Sequence, residues 1–206
     1  MPAGQASPAS ITLDNVAVIR GNRLVLQRFS LNAQPGDIIW IRGANGCGKS
    51  TLLRLIAGLL PKAAGQMEIE GRIALADENP GLDPNHSVEH ALNFWAKMDG
   101  AKGDVRANAL EAMDLVALAD VPVRYLSSGQ RRRATLARVF ASNAAIWLLD
   151  EPFNGLDSAN MTRLDAALLR HGAAGGIALV AAHQPPSINV AQSIALDLAN
   201  DQAIAR

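Results

Sequence analysis

The chain has 206 residues, with 19 Lys and Arg balancing 19 Asp and Glu, so its formal net charge is zero. That length holds one α/β domain with a real core, and a neutral balance gives no footprint for nucleic-acid binding. The single cysteine excludes an intrachain disulfide and fits a reducing compartment. In chain order, residues 1–8 lack a basic start and an apolar run, so they read as a disordered lead-in rather than a signal peptide. Residues 11–18 and 24–32 read as strands around the turn Arg20-Gly21-Asn22, and Gln34-Pro35-Gly36-Asp37 is a second turn. Residues 37–41 form a short apolar run, read as a buried strand.

Gly43-Ala44-Asn45-Gly46-Cys47-Gly48-Lys49-Ser50 follows directly and fits the phosphate-loop pattern G-x-x-x-x-G-K-[ST], with Thr51 next. Glycines let the backbone curl so that successive N–H groups face phosphate oxygens. A helix from near Lys49 to residue 57 adds its positive end, before Gly58-Leu59-Leu60-Pro61 stops it. Lys49 can reach β- and γ-phosphates, and the Ser50 hydroxyl can ligate Mg²⁺. Cys47 reads as a small side chain where only the backbone matters, although a lysine and a helix start nearby favour a reactive thiolate.

Residues 65–75 read as a strand pair broken at Gly71. Helices are predicted over 88–98, started by Asn85-His86-Ser87, and over 104–118 and 129–142. Residues 144–149 and 177–182 read as buried strands with a helix over 160–171 between them. Residues 194–198 and 203–205 read as a last hairpin around Asn200-Asp201. Strands alternating with helices imply a parallel sheet, while residues 82–138 are helix without strand. No stretch is long and apolar enough to span a bilayer, so a membrane role needs a second chain.

Asp150 and Glu151 end the strand over 144–149. Two carboxylates at the C-terminal end of a buried strand suit a magnesium-and-water site: Asp150 through the metal shell, Glu151 on the attacking water. Leu126-Ser127-Ser128-Gly129-Gln130 then gives a second anion-binding helix start, ahead of Arg131, Arg132 and Arg133. That basic run reads either as a solvated helix face or as a phosphate- or subunit-facing one.

Leu126-Ser127-Ser128-Gly129-Gln130 resembles the LSGGQ signature of ABC-type ATPases, with Ser128 in place of the first glycine. Glu151-Pro152-Phe153-Asn154-Gly155-Leu156-Asp157 resembles the stretch from catalytic glutamate to D-loop, and His183 resembles the switch histidine. The resemblance runs from about Ile11 to the C-terminus. It implies an α/β fold: a P-loop NTPase core with a mainly parallel sheet (1–81 and 139–206), an N-terminal antiparallel β region, and an inserted helical subdomain (82–138). It also implies MgATP hydrolysis by a head-to-tail homodimer. Lys49, Glu151 and His183 would be catalytic, Ser50 and Asp150 would serve Mg²⁺, and Ser127, Ser128, Gly129 and Gln130 would face the partner's γ-phosphate. Asp157 would lie at the dimer seam. The absence of long coiled insertions and tandem units argues against family members that act on chromosomes or ribosomes.

The chain departs from the family twice. Arg20 stands where an aromatic residue usually stacks on adenine; it reads either as a stacking guanidinium or as a solvated turn arginine. Glu78 stands at the Q-loop glutamine position, where a carboxylate is repelled by triphosphate. Either Glu78 binds metal through water, or Asn79 substitutes, or Glu78 meets a partner chain. Short length and these departures resemble the ATP-binding subunit of bacterial haem exporters of cytochrome c maturation. That subgroup implies peripheral attachment to the cytoplasmic side of the bacterial inner membrane through polytopic transporter subunits, with haem-handling proteins as further partners. A transporter ATPase for another substrate, and a soluble ABC-type switch, are the alternatives.

Overall fold

The computed structural model describes residues 9–101 and 104–196. Two sheets form it. β1 (Ser10–Arg20), β2 (Arg23–Ala33) and β4 (Ala64–Glu70) make an antiparallel sheet in the order β2-β1-β4. β3 (Ile38–Arg42), β5 (Ile73–Ala76), β6 (Ile146–Asp150), β7 (Ile177–Ala181) and β8 (Gln192–Ala195) make a parallel sheet in the order β5-β6-β7-β3-β8.

Strand periodicity sets up two cores. All five residues of β6 and of β7 are buried, as expected for strands covered on both faces. Ile146 and Leu148 face one core with Leu52, Leu53, Leu55 and Ile56 of α1 (Lys49–Ile56) and the apolar face of the antiparallel sheet. Trp147 and Leu149 face the other, with residues of α2 (Val88–Met98), α3 (Val105–Ala112), α4 (Ser128–Ala141) and α5 (Ser158–Ala173). Each fully buried leucine contributes about 1.5–3 kcal/mol of transfer free energy, so helix α1 is held from both sides by its own apolar stripe.

Two expectations are corrected. The strands on either side of Gly71 do not pair: β4 joins the antiparallel sheet and β5 the edge of the parallel one. The helix over 104–118 stops at Ala112, where Asp114 takes a positive φ of 52°, and resumes only as a short 3₁₀ turn at Val116–Leu118. The last described strand runs Gln192–Ala195 and pairs in parallel with β3. The expected hairpin partner at 203–205, its turn, and the lead-in 1–8 lie outside the described residues.

The order β6-β7-β3 places three C-terminal strand ends side by side. β3 runs into the phosphate loop, β6 ends at Asp150, and β7 runs into Ala182 and His183. An edge of this kind, outside the carboxyl ends of parallel strands, is where open α/β sheets bind ligands.

Candidate active site

The loop between β3 and α1 takes the shape its glycines permit. Gly43, Gly46 and Gly48 have φ of 155°, 78° and 107°. A Cβ on Gly43 would overlap the Leu196 carbonyl and the Cys47 sulfur, so the tight turn admits no side chain there. Cys47 is only 3 % exposed and packs into the core, which favours its reading as a filler over that of an accessible reactive thiol. The loop frames a cavity of about 500 Å³ lined by Ala44, Asn45, Gly46, Gly48, Lys49, Ser50, Thr51 and Glu151, with Arg20, Arg23 and Val25 at its lip.

Lys49 is 6 % exposed, and its ammonium has a full set of oxygen neighbours. It donates to the Gly43 carbonyl at 2.8 Å and to that of Ala44 at 3.4 Å, and pairs with Glu151 Oε1 at 3.3 Å. The same carboxylate oxygen lies 3.5 Å from His183 Nε2, which also meets Asn45 Oδ1 at 2.6 Å. Three strand ends therefore deliver one lysine, one carboxylate and one imidazole to a single point.

Asp150 sits behind Glu151. Burial pushes its carboxyl up from the usual range; a hydrogen bond from the Ser50 hydroxyl pulls it back, and the neighbouring Glu151 charge pushes it up again. Its Oδ1 is buried without a hydrogen-bond partner. An orphaned, buried carboxylate oxygen beside a hydroxyl is the donor set that a hard cation completes, so the residues fit Mg²⁺.

Glu78 is placed elsewhere. It is 83 % exposed, does not line the cavity, and pairs with Arg54 Nη2 at 2.9 Å. Arg54 also binds Asp77 Oδ2, at 3.1 Å through Nη2 and 3.3 Å through Nε. Hydrogen bonds to Glu78 and then Asp77 push the guanidinium pKa up. Arg54 thus answers the repulsion expected of a carboxylate at this position, and sequence reasoning missed it. The available signal was a cation one turn beyond Ser50 facing an acidic pair at the end of β5.

Ser127 caps α4. Its hydroxyl accepts from the Gln130 N–H at 3.2 Å, while Gln130 Oε1 accepts from the Ser127 N–H at 2.8 Å, a reciprocal capping box. Ser127, Ser128, Gly129 and Gln130 do not line the cavity of their own chain. Gly129 is needed for contact: a Cβ there would come within 2.8 Å of the Gly155 carbonyl. Asp157 caps α5, accepting from the Asn160 N–H at 2.8 Å, and that bond leads in holding its carboxyl below the usual range.

The arginine run is engaged with the chain's own backbone. Arg131 donates to the Leu126 carbonyl at 3.3 Å, and Arg133 to the Met113 and Asp114 carbonyls at 2.9 and 2.6 Å. Arg132 donates to the Asp77 carbonyl at 3.0 Å and to that of Asp150. Burial lowers the Arg132 pKa, and the charges of Asp150, Asp77 and Glu151 act against that. All three arginines, half-buried, tie α4 to backbone carbonyls.

Comparison with known proteins identifies the family. A family model described as "ABC transporter" matches residues 26–154. The "Cytochrome c biogenesis ATP-binding export protein CcmA" of Sphingopyxis alaskensis is 53 % identical over 173 residues, 84 % of this chain and 89 % of that protein. The protein of the same name from Novosphingobium aromaticivorans is 46 % identical over 183 residues, 88 % of this chain and 93 % of that one. A structure of a metal-chelate type ABC transporter in an inward-facing conformation superposes with a TM-score of 0.78 at 26 % identity, covering 96 % of this chain and 83 % of that one. The chain therefore belongs to the ABC transporter family, as an ATP-hydrolysing subunit.

Proposed function

We propose that this subunit binds MgATP at the Lys49 cavity and hydrolyses it as one half of a head-to-tail homodimer. The observation that supports this most directly is the meeting of Lys49, Glu151 and His183 at one carboxylate oxygen. The loop N–H groups cradle the phosphates, and Lys49 neutralises charge on the β- and γ-phosphates in a water-poor site. Ser50 and Asp150 would hold Mg²⁺, which would supply positive charge against the developing charge on the phosphates. Glu151 orients a water molecule and takes its proton as that water attacks the γ-phosphorus and the bond to the bridging oxygen of ADP breaks. His183, held by Asn45, contacts the γ-phosphate. Arg20 and Arg23 line the cavity, which supports a contact with the base or ribose.

Because Ser127, Ser128 and Gly129 stand away from their own cavity, they are free to close the partner's cavity instead. Nucleotide then stabilises the closed pair by its greater affinity for that state, and closure moves a membrane chain. Among the described residues no helix is long and apolar enough to cross a membrane. The proposed setting is therefore peripheral, on the cytoplasmic face of the bacterial inner membrane, bound to polytopic subunits. The relatives' names point to an export step in cytochrome c biogenesis, and haem is the proposed cargo.

The test is Glu151→Gln. ATP binding should persist while phosphate release falls at least about 100-fold, the usual contribution of a general base. Turnover near wild type would remove Glu151 from this role. Co-purification with a polytopic membrane chain, and haem in the purified complex, test the transport reading.

A further inference from the structure

Glu151 has a φ of 47°, in the left-handed region that glycine favours. For an L-residue that conformation costs roughly 1–2 kcal/mol and persists only where the surroundings hold it. The peptide joining Asp150 to Glu151 is held at both ends. Its N–H donates to the Ala181 carbonyl of β7 at 2.7 Å. Its carbonyl accepts from Arg132 Nη2 on α4. The other terminal nitrogen, Nη1, donates to the Asp77 carbonyl at 3.0 Å, beyond the end of β5. One guanidinium therefore spans the ends of β5 and β6. A planar fork can do this, whereas the point charge of a lysine reaches one carbonyl well and the other poorly. Packing alone does not account for the choice. Arg132 Nε is buried without a partner, a desolvation cost that an apolar side chain would avoid.

We propose that Arg132 is a positioning residue for hydrolysis: its fork sets the plane of the Asp150–Glu151 peptide and so aims the Glu151 carboxylate at the attacking water. The inference rests on Glu151 being the general base, and it assigns Arg132 no contact with nucleotide.

The experiment uses the full chain with Arg132→Met, Arg132→Lys, Glu151→Gln and the double variant Arg132→Met/Glu151→Gln, each first checked for folding by thermal melting. In Arg132→Met, kcat should fall about 10- to 100-fold, as expected for a misaimed catalytic group. Its KM and ATP affinity should stay within about threefold of wild type. Arg132→Lys should recover part of the loss. The double variant should be no slower than Glu151→Gln alone, because the two residues act through one group. A folded Arg132→Met with near-wild-type kcat would overturn the proposal. So would a rise in KM with kcat unchanged, or a further loss in the double variant. If Arg132→Met does not fold, Arg132→Lys decides: a lower kcat at unchanged ATP affinity supports the proposal, and wild-type kcat overturns it. Wild-type hydrolysis by Glu151→Gln would remove the base itself and this inference with it. Active Arg132 variants beside an inactive Glu151→Gln would remove the inference alone.

Discussion

Lys49 Nζ lies 3.3 Å from Glu151 Oε1, so the cation of the phosphate loop and the carboxylate at the end of β6 already form a pair. Two loop carbonyls share the same ammonium. On the proposed reading, a triphosphate competes with these oxygens for Lys49 and so draws the lysine away from Glu151. That reading links phosphate binding to release of the Glu151 carboxylate through a single side chain.

Lys49→Ala removes this charge from a buried site. A charge-assisted hydrogen bond contributes about 1.5–3 kcal/mol, or roughly 10- to 150-fold in affinity. Calorimetric titration of the folded variant with ATP should show a loss of that order. Unchanged affinity would make the loop a structural turn only.

Ser128→Arg tests the proposed composite site. Ser128 opens α4 and does not line its own cavity, so an added bulky cation should leave ATP binding by the isolated chain nearly unchanged. It should prevent ATP-driven dimerisation, read by size-exclusion chromatography, and hydrolysis with it. Loss of ATP binding by the monomer would place Ser128 within its own chain's site.

Much of this arrangement was legible in the sequence, because its signals are local. The glycine spacing of residues 43–48, the apolar run ending at Asp150-Glu151 and the capping residues of α4 each imply their own geometry. What escaped was set by contacts distant in sequence. Gly71 gave a break but not the sheet each flanking strand would join, since pairing depends on strands far along the chain. Arg54 and Arg132 meet partners 23 and 55 residues away at Asp77, and no periodicity announces such pairs. Glu78 looked anomalous only because Arg54 was not yet beside it.

Cys47 offers a test of the loop's packing. Its side chain is buried against Gly43, and the loop backbone, not the thiol, faces the cavity. Cys47→Ala should keep ATPase activity, with a stability loss of about 1 kcal/mol from the lost buried atom. Alkylation of the native protein should be slow, should be slowed further by ATP, and should abolish activity once it occurs. Rapid labelling of the nucleotide-free protein would show that the loop opens far more readily than its packing implies.

His171 sets an expectation for stability against pH. Its ring stacks on Trp147 at 3.8 Å between centroids and 8° between planes, and Trp147 stacks in turn on Phe140 at 4.8 Å. His171 Nε2 lies 3.2 Å from the Ile177 carbonyl, which the neutral Nε2–H tautomer satisfies. Burial pushes the His171 pKa below its usual 6.5, with hydrogen bonds to the Ile177 and Ala145 carbonyls acting in the opposite sense. The sign follows directly. Below pH 6.5 the unfolded chain takes up a proton that the folded chain resists, so the unfolded state binds more protons and stability falls as pH falls. The contribution is present in full above pH 6.5 and is lost on the way down through the folded-state pKa. One such group gives a slope of at most about 1.4 kcal/mol per pH unit. Chemical denaturation between about pH 7.5 and about pH 5, a window spanning the usual histidine pKa, should show this slope in the wild type. His171→Phe keeps an aromatic ring against Trp147 and removes the titrating group, so it should flatten that part of the curve. An equal slope in the variant would assign the acid sensitivity to other groups and leave His171 a packing role only.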